Sequence, residues 1–179
     1  MRKTVIPFGY CRSVYDVPTA ALRKLGVKCV LVDLDNTLDA YHATSPSPRA
    51  FELKKRLEEA GIDLIIVSNN KGGRVSYYAS SLGIKAKCLM LKPFAFRLNR
   101  LIKRLGYGKD EVILIGDQIQ TDIIAGNRAK IRTILTEPLD ESIEPPWTKW
   151  NRHFDKPKRE KMRQLGLLKD ITEEKGANP

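Results

Sequence analysis

Cysteine is scarce in this chain: Cys11, Cys29 and Cys88 are the only three in 179 residues. The number is odd and no CxxC spacing occurs. That argues against a disulfide framework or a zinc site and fits a reducing cytosol. Long apolar runs are missing as well. No stretch approaches the roughly 18 apolar residues that span a bilayer, so a transmembrane segment is excluded while a peripheral location on a membrane is not. The opening MRKTVIPFGYCRS carries basic residues with no apolar run behind them, so no secretory signal is expected. Neither an internal repeat nor a low-complexity tract is found. Negative charge is in short supply: 21 acidic residues stand against 32 Lys and Arg, for a net charge of +11. That balance predicts an anionic partner, whether phosphate groups, nucleic acid or an acidic membrane surface.

What is present is a regular alternation. Apolar, β-branched runs at 28–34, 63–67 and 111–115 read as buried strands, with weaker ones at 86–90 and 132–135. Helical periodicity fills 48–60, 74–82, 93–105 and 121–129. Pro48 and Pro93 suit first turns, where a missing N–H costs little, and Gly61, Gly83 and Gly106 suit helix C-termini. Strand–helix alternation with continuous apolar strands predicts an α/β fold, a three-layer Rossmann-like arrangement of a mainly parallel five-stranded sheet between helices. The expected organisation is an N-terminal flank over 1–26, a core over 27–140 and a basic C-terminal helix and tail over 141–179, of which the final KGANP is expected to be disordered.

In such sheets the ligand site lies beyond the carboxyl ends of the strands. Here those ends carry Asp33-Leu34-Asp35, Ser68-Asn69-Asn70, Lys92 and Gly116-Asp117. Three aspartates at one edge repel unless a cation joins them, and their hard oxygens suit magnesium with a phosphate in its shell. Lys92 adds positive charge and Ser68 a hydroxyl, and turn amides can cradle phosphate oxygens. One aspartate could act as nucleophile and another as acid and base. They can serve one phosphorus only if the chain curls after Leu34, which Asn36 and Thr37 favour.

These residues are similar to a known set. Asp33-x-Asp35-x-Thr37, Ser68, Lys92 and Gly116-Asp117-x4-Asp122, in that order and each after an expected strand, resemble the four motifs of the haloacid dehalogenase (HAD) superfamily. VDLDNTL, VSNNKGGRV, KP and IGDQIQTDIIAGNR resemble the YqeG-type branch of its subfamily IIIA, which is related to phosphatidylglycerophosphate phosphatase, and the likeness covers roughly residues 5–155. The resemblance implies Asp33 as nucleophile and Mg2+ ligand, and Asp35 as general acid/base with its carbonyl on the metal. It implies Asp117 as the remaining metal ligand. Leu34, Ser68, Asn69 and Lys92 would hold the phosphoryl group, supported by Thr37 and Asp122. The gaps 39–62 and 71–91 leave no room for a cap domain, which implies an open site for a macromolecular or surface-bound phosphoester. Phosphatidylglycerophosphate at an anionic membrane is the implied substrate, and a cytoplasmic protein, peripheral on the inner face of the membrane, the implied setting. Asp39 after DNTL and Gly72-Gly73 after SNN depart from the expected pattern at the rim.

Plainer readings stand beside these. The acidic pair could be a solvated turn, Ser68 a helix cap, Lys92 a surface lysine and Asp122 a helix-surface acid. Arg74 and Arg128 suit substrate recognition and surface ion pairs equally, and His42 reads as a solvated loop residue. Phe94, Phe96, Leu98, Leu101 and Ile102 read as core, with Arg97, Arg100, Lys103 and Arg104 on the solvated face. The tail, with Trp147, Trp150, Phe154, Met162, Leu165, Leu167 and Leu168 among its lysines, suits an amphipathic helix on a membrane, although a helix docked on the sheet is preferred. Rival functions are a phosphatase for nucleic-acid ends, phosphoproteins or small phosphoesters, and a non-catalytic module binding RNA, ribosome or membrane.

Overall fold

The computed structural model describes residues 3–172; the expectation of disorder in the closing KGANP lies outside them. Six parallel strands run in the order β1-β6-β5-β2-β3-β4: β1 (Gly9–Tyr10), β2 (Cys29–Val32), β3 (Asp63–Val67), β4 (Lys85–Lys87), β5 (Val112–Gly116) and β6 (Arg132–Leu135). The five expected strands are all present. The sixth is β1, whose Gly9 and Tyr10 pair with Ile134 and Leu135. Two residues give no periodicity to read, so the sequence alone predicts five.

The helices are α1 (Thr19–Lys24), α2 (Pro48–Glu59), α3 (Gly72–Leu82), α4 (Phe96–Leu105), α5 (Ile124–Ala129) and α6 (Pro146–Gln164). In α2, Ser47 caps the first turn by accepting from the Ala50 N–H at 3.3 Å, and Pro48 occupies the first helical position. Gly83 and Gly106 end α3 and α4 with φ of 72° and 79°, a region closed to most side chains. Pro93 does not start α4. The chain runs three residues further before the helix begins, so Phe94 and Phe96 fall off its buried stripe and are exposed, while Leu98, Leu101 and Ile102 are buried as expected. A single π-helical turn, Ile119–Ile123, precedes α5.

Alternation along the central strands builds two apolar layers. Val30, Val32, Leu64, Ile66, Ile113 and Ile115 face α2, α3 and the N-terminal flank. Cys29, Leu31, Ile65, Val67, Val112 and Leu114 face α4 and α5. From Cys11 on, the flank belongs to the first layer, where Cys11, Val14, Val17 and Leu22 are buried, while Val5, Ile6 and Tyr10 pack against Ile119, Ile123, Leu135 and Met162. On the second face α5 lies so close that a Cβ on Gly126 would come 2.3 Å from the Thr133 side chain. No described helix is long and apolar enough to cross a membrane.

The chain moves outward from β2 through β3 to β4, then returns to the other side of β2 for β5 and β6. The reversal opens a crevice at the carboxyl ends of β2 and β5. Register levels the three central strands there: Val32 pairs with both Ile66 and Ile115. Helix α6 docks across this edge. Its inner face buries Thr148, Arg152, Asp155, Arg159 and Met162, and Met162 packs with Ile119, Ile123 and Leu135. The preferred reading of the tail as a docked helix therefore holds.

Asp155 joins α6 to the π turn by accepting the Ile119 N–H at 2.8 Å. Burial pushes its acid up to about 6, only partly opposed by that hydrogen bond and by Arg159 and Arg152. The folded state thus holds this proton more tightly than the unfolded chain, whose aspartates titrate near pH ~4. Stability should fall as pH rises from about 4 to about 6. Urea unfolding across that range should show the slope in the native chain and a flattened one in Asp155→Asn; an unchanged slope in the variant would contradict the assignment.

Candidate active site

Two short polar side chains shape the entrance. After β2 the backbone folds back on Leu34, whose carbonyl accepts from the Leu38 and Asp39 N–H groups, both at 3.0 Å. Asn36 turns the corner in the left-handed region, φ 64°, which asparagine tolerates better than most residues. Its amide donates to the Asp140 carbonyl at 2.7 Å and to Glu144 Oε1 at 2.5 Å, tying the curl to the segment before α6. Thr37 donates its hydroxyl to Asp117 Oδ1 at 2.8 Å. The curl expected after Leu34 is present and brings Asp33 and Asp35 to one cleft. Ser68, Asn69, Asn70 and Lys92 also line it, as does Trp147 from α6.

Lys92 reaches into this edge from the loop after β4. Its ammonium donates to Asp33 Oδ1 and Asp122 Oδ1, each at 2.6 Å, and to the Val67 carbonyl at 3.0 Å. It is 5% exposed and Asp122 is fully buried, so neither is the surface residue of the plainer readings. Burial works against the Lys92 charge, but Asp122 and Asp33 hold its pKa above the ordinary lysine value. Burial also raises the Asp33 acid well above the carboxylate range. Lys92 pulls it down while Asp122, Asp117 and Asp35 push it further up. Asp122 is raised chiefly by burial and lowered by Lys92; its Oδ2 accepts from the Gln118 N–H at 3.1 Å. Gly116 leaves the room this requires, since a Cβ there would meet the Asp122 carboxyl carbon at 2.3 Å.

Asp35 is held by other groups. Arg74 grips both of its oxygens at 2.6 and 2.7 Å, and the Asn70 amide donates to Oδ2 at 2.6 Å. Arg74 thus forms an ion pair, but with a site aspartate rather than at the surface. Ser68 is buried and its hydroxyl accepts from the Asn70 N–H at 3.1 Å. Helix α3 takes Lys71 as its cap, so Ser68 is not one. Asn69 locks Lys92 in place through two backbone bonds, accepting from its N–H at 2.8 Å and donating to its carbonyl at 2.9 Å. His42 is exposed, and only its backbone N–H approaches Asp35, at 3.4 Å. Arg128 is exposed and donates to the Pro93 carbonyl at 3.1 Å.

Sequence reasoning missed the groups behind Asp117. Arg152 pairs with Asp117 Oδ2, donates to its carbonyl at 3.0 Å and grips Glu144 at 2.6 Å. Burial opposes the Arg152 charge, yet Asp117 and Glu144 hold it above its ordinary range. Arg159 donates to the same Asp117 carbonyl and to that of Thr136. Spacing offered one signal: residues 148, 152, 155, 159 and 162 form an i, i+4, i+3 stripe, which marks an inward face.

The residues fit a hard divalent cation. Carboxylate oxygens of Asp33, Asp117 and Asp122 lie within 4.8 Å of one another, with no thiol or imidazole in the group, the donor set magnesium prefers. Around them the carboxylates of Asp33, Asp35, Asp117, Asp122 and Glu144 meet three cations, Lys92, Arg74 and Arg152. With all five ionised they exceed these three cations by two negative charges, the amount a divalent cation neutralises.

Removing one member of a buried ion pair strands its partners. Lys92→Ala should therefore cost about 3–5 kcal/mol in urea unfolding. Adding Asp122→Ala should recover part of that loss. A change within about 0.5 kcal/mol, as at a surface lysine, would contradict the network.

Comparison with known proteins agrees with this geometry. The HAD-hydrolase-like family matches residues 90–138, the stretch that carries Lys92, Asp117 and Asp122. The chain is 31% identical over 156 residues to the probable phosphatase YqeG of Bacillus subtilis, covering 87% of this chain and 90% of that one. It is 29% identical over 153 residues to an Arabidopsis thaliana phosphatidylglycerophosphate phosphatase 1, covering 80% of this chain but only 44% of that protein. The crystal structure of an uncharacterized Listeria monocytogenes protein shares the fold, with a TM-score of 0.53 at 18% identity over 66% of this chain and 85% of that one. With these similarities and the four motifs gathered at one sheet edge, the chain belongs to the YqeG-type branch of the HAD phosphatase family.

Proposed function

We propose that the chain hydrolyses a phosphomonoester in two steps through a phosphorylated Asp33, with Mg2+ as its cofactor and phosphatidylglycerophosphate as its substrate. The observation that carries this reading is the shared cleft. One carboxylate, Asp33, touches a buried ammonium, while a second, Asp35, stands in the same cleft paired with Arg74 and Asn70.

In the first step an Asp33 oxygen attacks phosphorus and the bond to the alcohol oxygen breaks. Asp35, once released from Arg74 and protonated, gives that oxygen its proton, and the alcohol leaves. Asp35, now a carboxylate, takes a proton from water as the water attacks the phosphoryl group. Phosphate departs and Asp33 is restored. Lys92 neutralises charge on the phosphoryl oxygens and pulls the Asp33 pKa down against the effect of burial. The Ser68 hydroxyl and the turn amides after Asp33 and Ser68 orient those oxygens. Arg74 and Asn70 keep Asp35 at the cleft between turnovers. Thr37 and Arg152 hold Asp117 in register. A bound Mg2+, on Asp33, Asp117 and the Asp35 carbonyl, would polarise the phosphoryl group and offset the surplus negative charge.

The size of the cleft supports a large substrate. At about 130 Å³ it is well below the roughly 300–1,000 Å³ of a site that engulfs a small molecule. It admits a phosphoryl group and leaves the alcohol outside, as a lipid phosphate or another macromolecular phosphoester would need. Among these the Arabidopsis relative's name favours the lipid.

Asp33→Asn should abolish turnover with the fold kept, as read by phosphate release and circular dichroism. Asp35→Asn should slow it about 10²–10⁴-fold, and chelation by EDTA should stop it until Mg2+ is restored. Retained activity in either the first variant or EDTA would refute the mechanism. A panel of phosphatidylglycerophosphate vesicles, soluble phosphomonoesters and 5′- or 3′-phosphorylated oligonucleotides tests the substrate. A preference for the oligonucleotides would replace the lipid reading.

A further inference from the structure

Both tryptophans of the chain lie on one exposed face of α6. Trp147 and Trp150 are 64% and 65% exposed, and Phe154, which meets the Trp150 ring edge-on at 5.3 Å, is 42% exposed. The spacing sets all three off the buried stripe, so packing on the sheet does not account for them. Lys158 and Lys161, one and two turns beyond Phe154, continue the same face. A second apolar group stands on the loop between β4 and α4 and at the start of α4, where Leu89, Leu91, Phe94 and Phe96 are all exposed. Leu89 and Leu91 adopt left-handed backbone, φ 52° and 55°, which costs about 1–2 kcal/mol for each L-residue. The loop accepts this strain while turning Met90 and Lys92 inward and both leucines outward. The two groups flank one opening, because Trp147 and Lys92 line the same cleft.

Positive charge accompanies the apolar groups. A groove of about 340 Å³ beside the loop is lined by Lys87, Arg97, Arg100 and Arg104 together with Phe96, and among the described residues no acidic side chain lines it. Apolar side chains of this size, exposed around a cleft and flanked by cations, are the makings of an interfacial surface: aromatic rings settle at headgroup depth and cations meet lipid phosphates. A second copy of the chain is a poor occupant, since each carries a net charge of +11 and would bring the arginine groove against like charge.

We infer that this edge docks on an anionic phospholipid bilayer, with Trp147, Trp150, Phe154, Leu89, Leu91 and Phe94 entering the interface and the arginine groove taking lipid phosphates. The inference rests on the lipid-phosphate reading above and adds to it an orientation. The cleft then faces the headgroups, so a phosphomonoester on a lipid reaches Asp33 without leaving the bilayer.

Tryptophan fluorescence reports this face alone, because the chain has two tryptophans and both are on it. Equimolar phosphatidylcholine–phosphatidylglycerol vesicles should shift the emission to the blue at low salt, and added salt should weaken the effect. Phosphatidylcholine alone should give no shift. Arg100→Ala with Arg104→Ala should weaken partition roughly thirtyfold. Trp150→Ser with Phe94→Ser should prevent insertion and leave hydrolysis of soluble p-nitrophenyl phosphate unchanged, since neither residue lines the cleft. No shift with the anionic vesicles at low salt would overturn the inference. So would an equal shift with phosphatidylcholine alone, a concentration-dependent shift without vesicles, which marks self-association, or an oligonucleotide that displaces the vesicles. These vesicles contain no phosphomonoester, so docking is read separately from substrate choice. Docking with no turnover of phosphatidylglycerophosphate would sink the substrate reading and leave the docking face standing.

Discussion

One ammonium group holds the site together. Lys92 is shared between Asp33 at the end of β2 and Asp122 in the π turn after β5, and it also caps the Val67 carbonyl at the end of β3. Three buried charges in contact are tolerable only when each is paired and hydrogen-bonded. That constraint reaches into the surrounding structure. Gly116 must lack a side chain because the Asp122 carboxyl fills the space a Cβ would need. Asn69 must clamp the Lys92 backbone on both sides, for a long side chain loses rotamer freedom when it is fixed.

The same logic explains why α6 belongs to the catalytic edge. Asp117 stands one residue beyond β5 with no lysine of its own, and Arg152 answers its charge from a helix 35 residues away in sequence. Glu144 and Asn36 complete the link between that helix and the curl after β2. The inner face of α6 serves the acidic edge while its outer face is left to aromatic rings. One helix can therefore couple the chemistry to whatever surface the rings meet.

Much of this was legible because three of the four motifs follow an apolar strand directly. Asp33-Leu34-Asp35, Ser68 and Asp117 stand where the apolar runs stop, and a parallel sheet sends all such ends to one edge. Asn36 signalled its corner because asparagine is among the few residues at home there. Other features left no such trace. Arg152 sits in a stretch crowded with lysines, where a further cation reads as solvated, and only the docking of α6 brings it to Asp117. Leu89 and Leu91 gave no hint of left-handed backbone, since leucine seldom adopts it. Phe94 and Phe96 matched a helical stripe that begins only at Phe96. The strand Gly9–Tyr10 is too short for any period, and it exists because β6 offers it an open edge.

In the proposed mechanism Asp33 takes up the phosphoryl group. This step is most directly tested with Asp35→Asn and p-nitrophenyl phosphate. That leaving group departs without a proton, so the variant should complete the first step and stall at the second, which needs a base. Rapid acid quench followed by peptide mass spectrometry should then find a phosphoryl group on Asp33. A phosphoryl group on any other residue, or none while nitrophenolate is released in a stoichiometric burst, would contradict it.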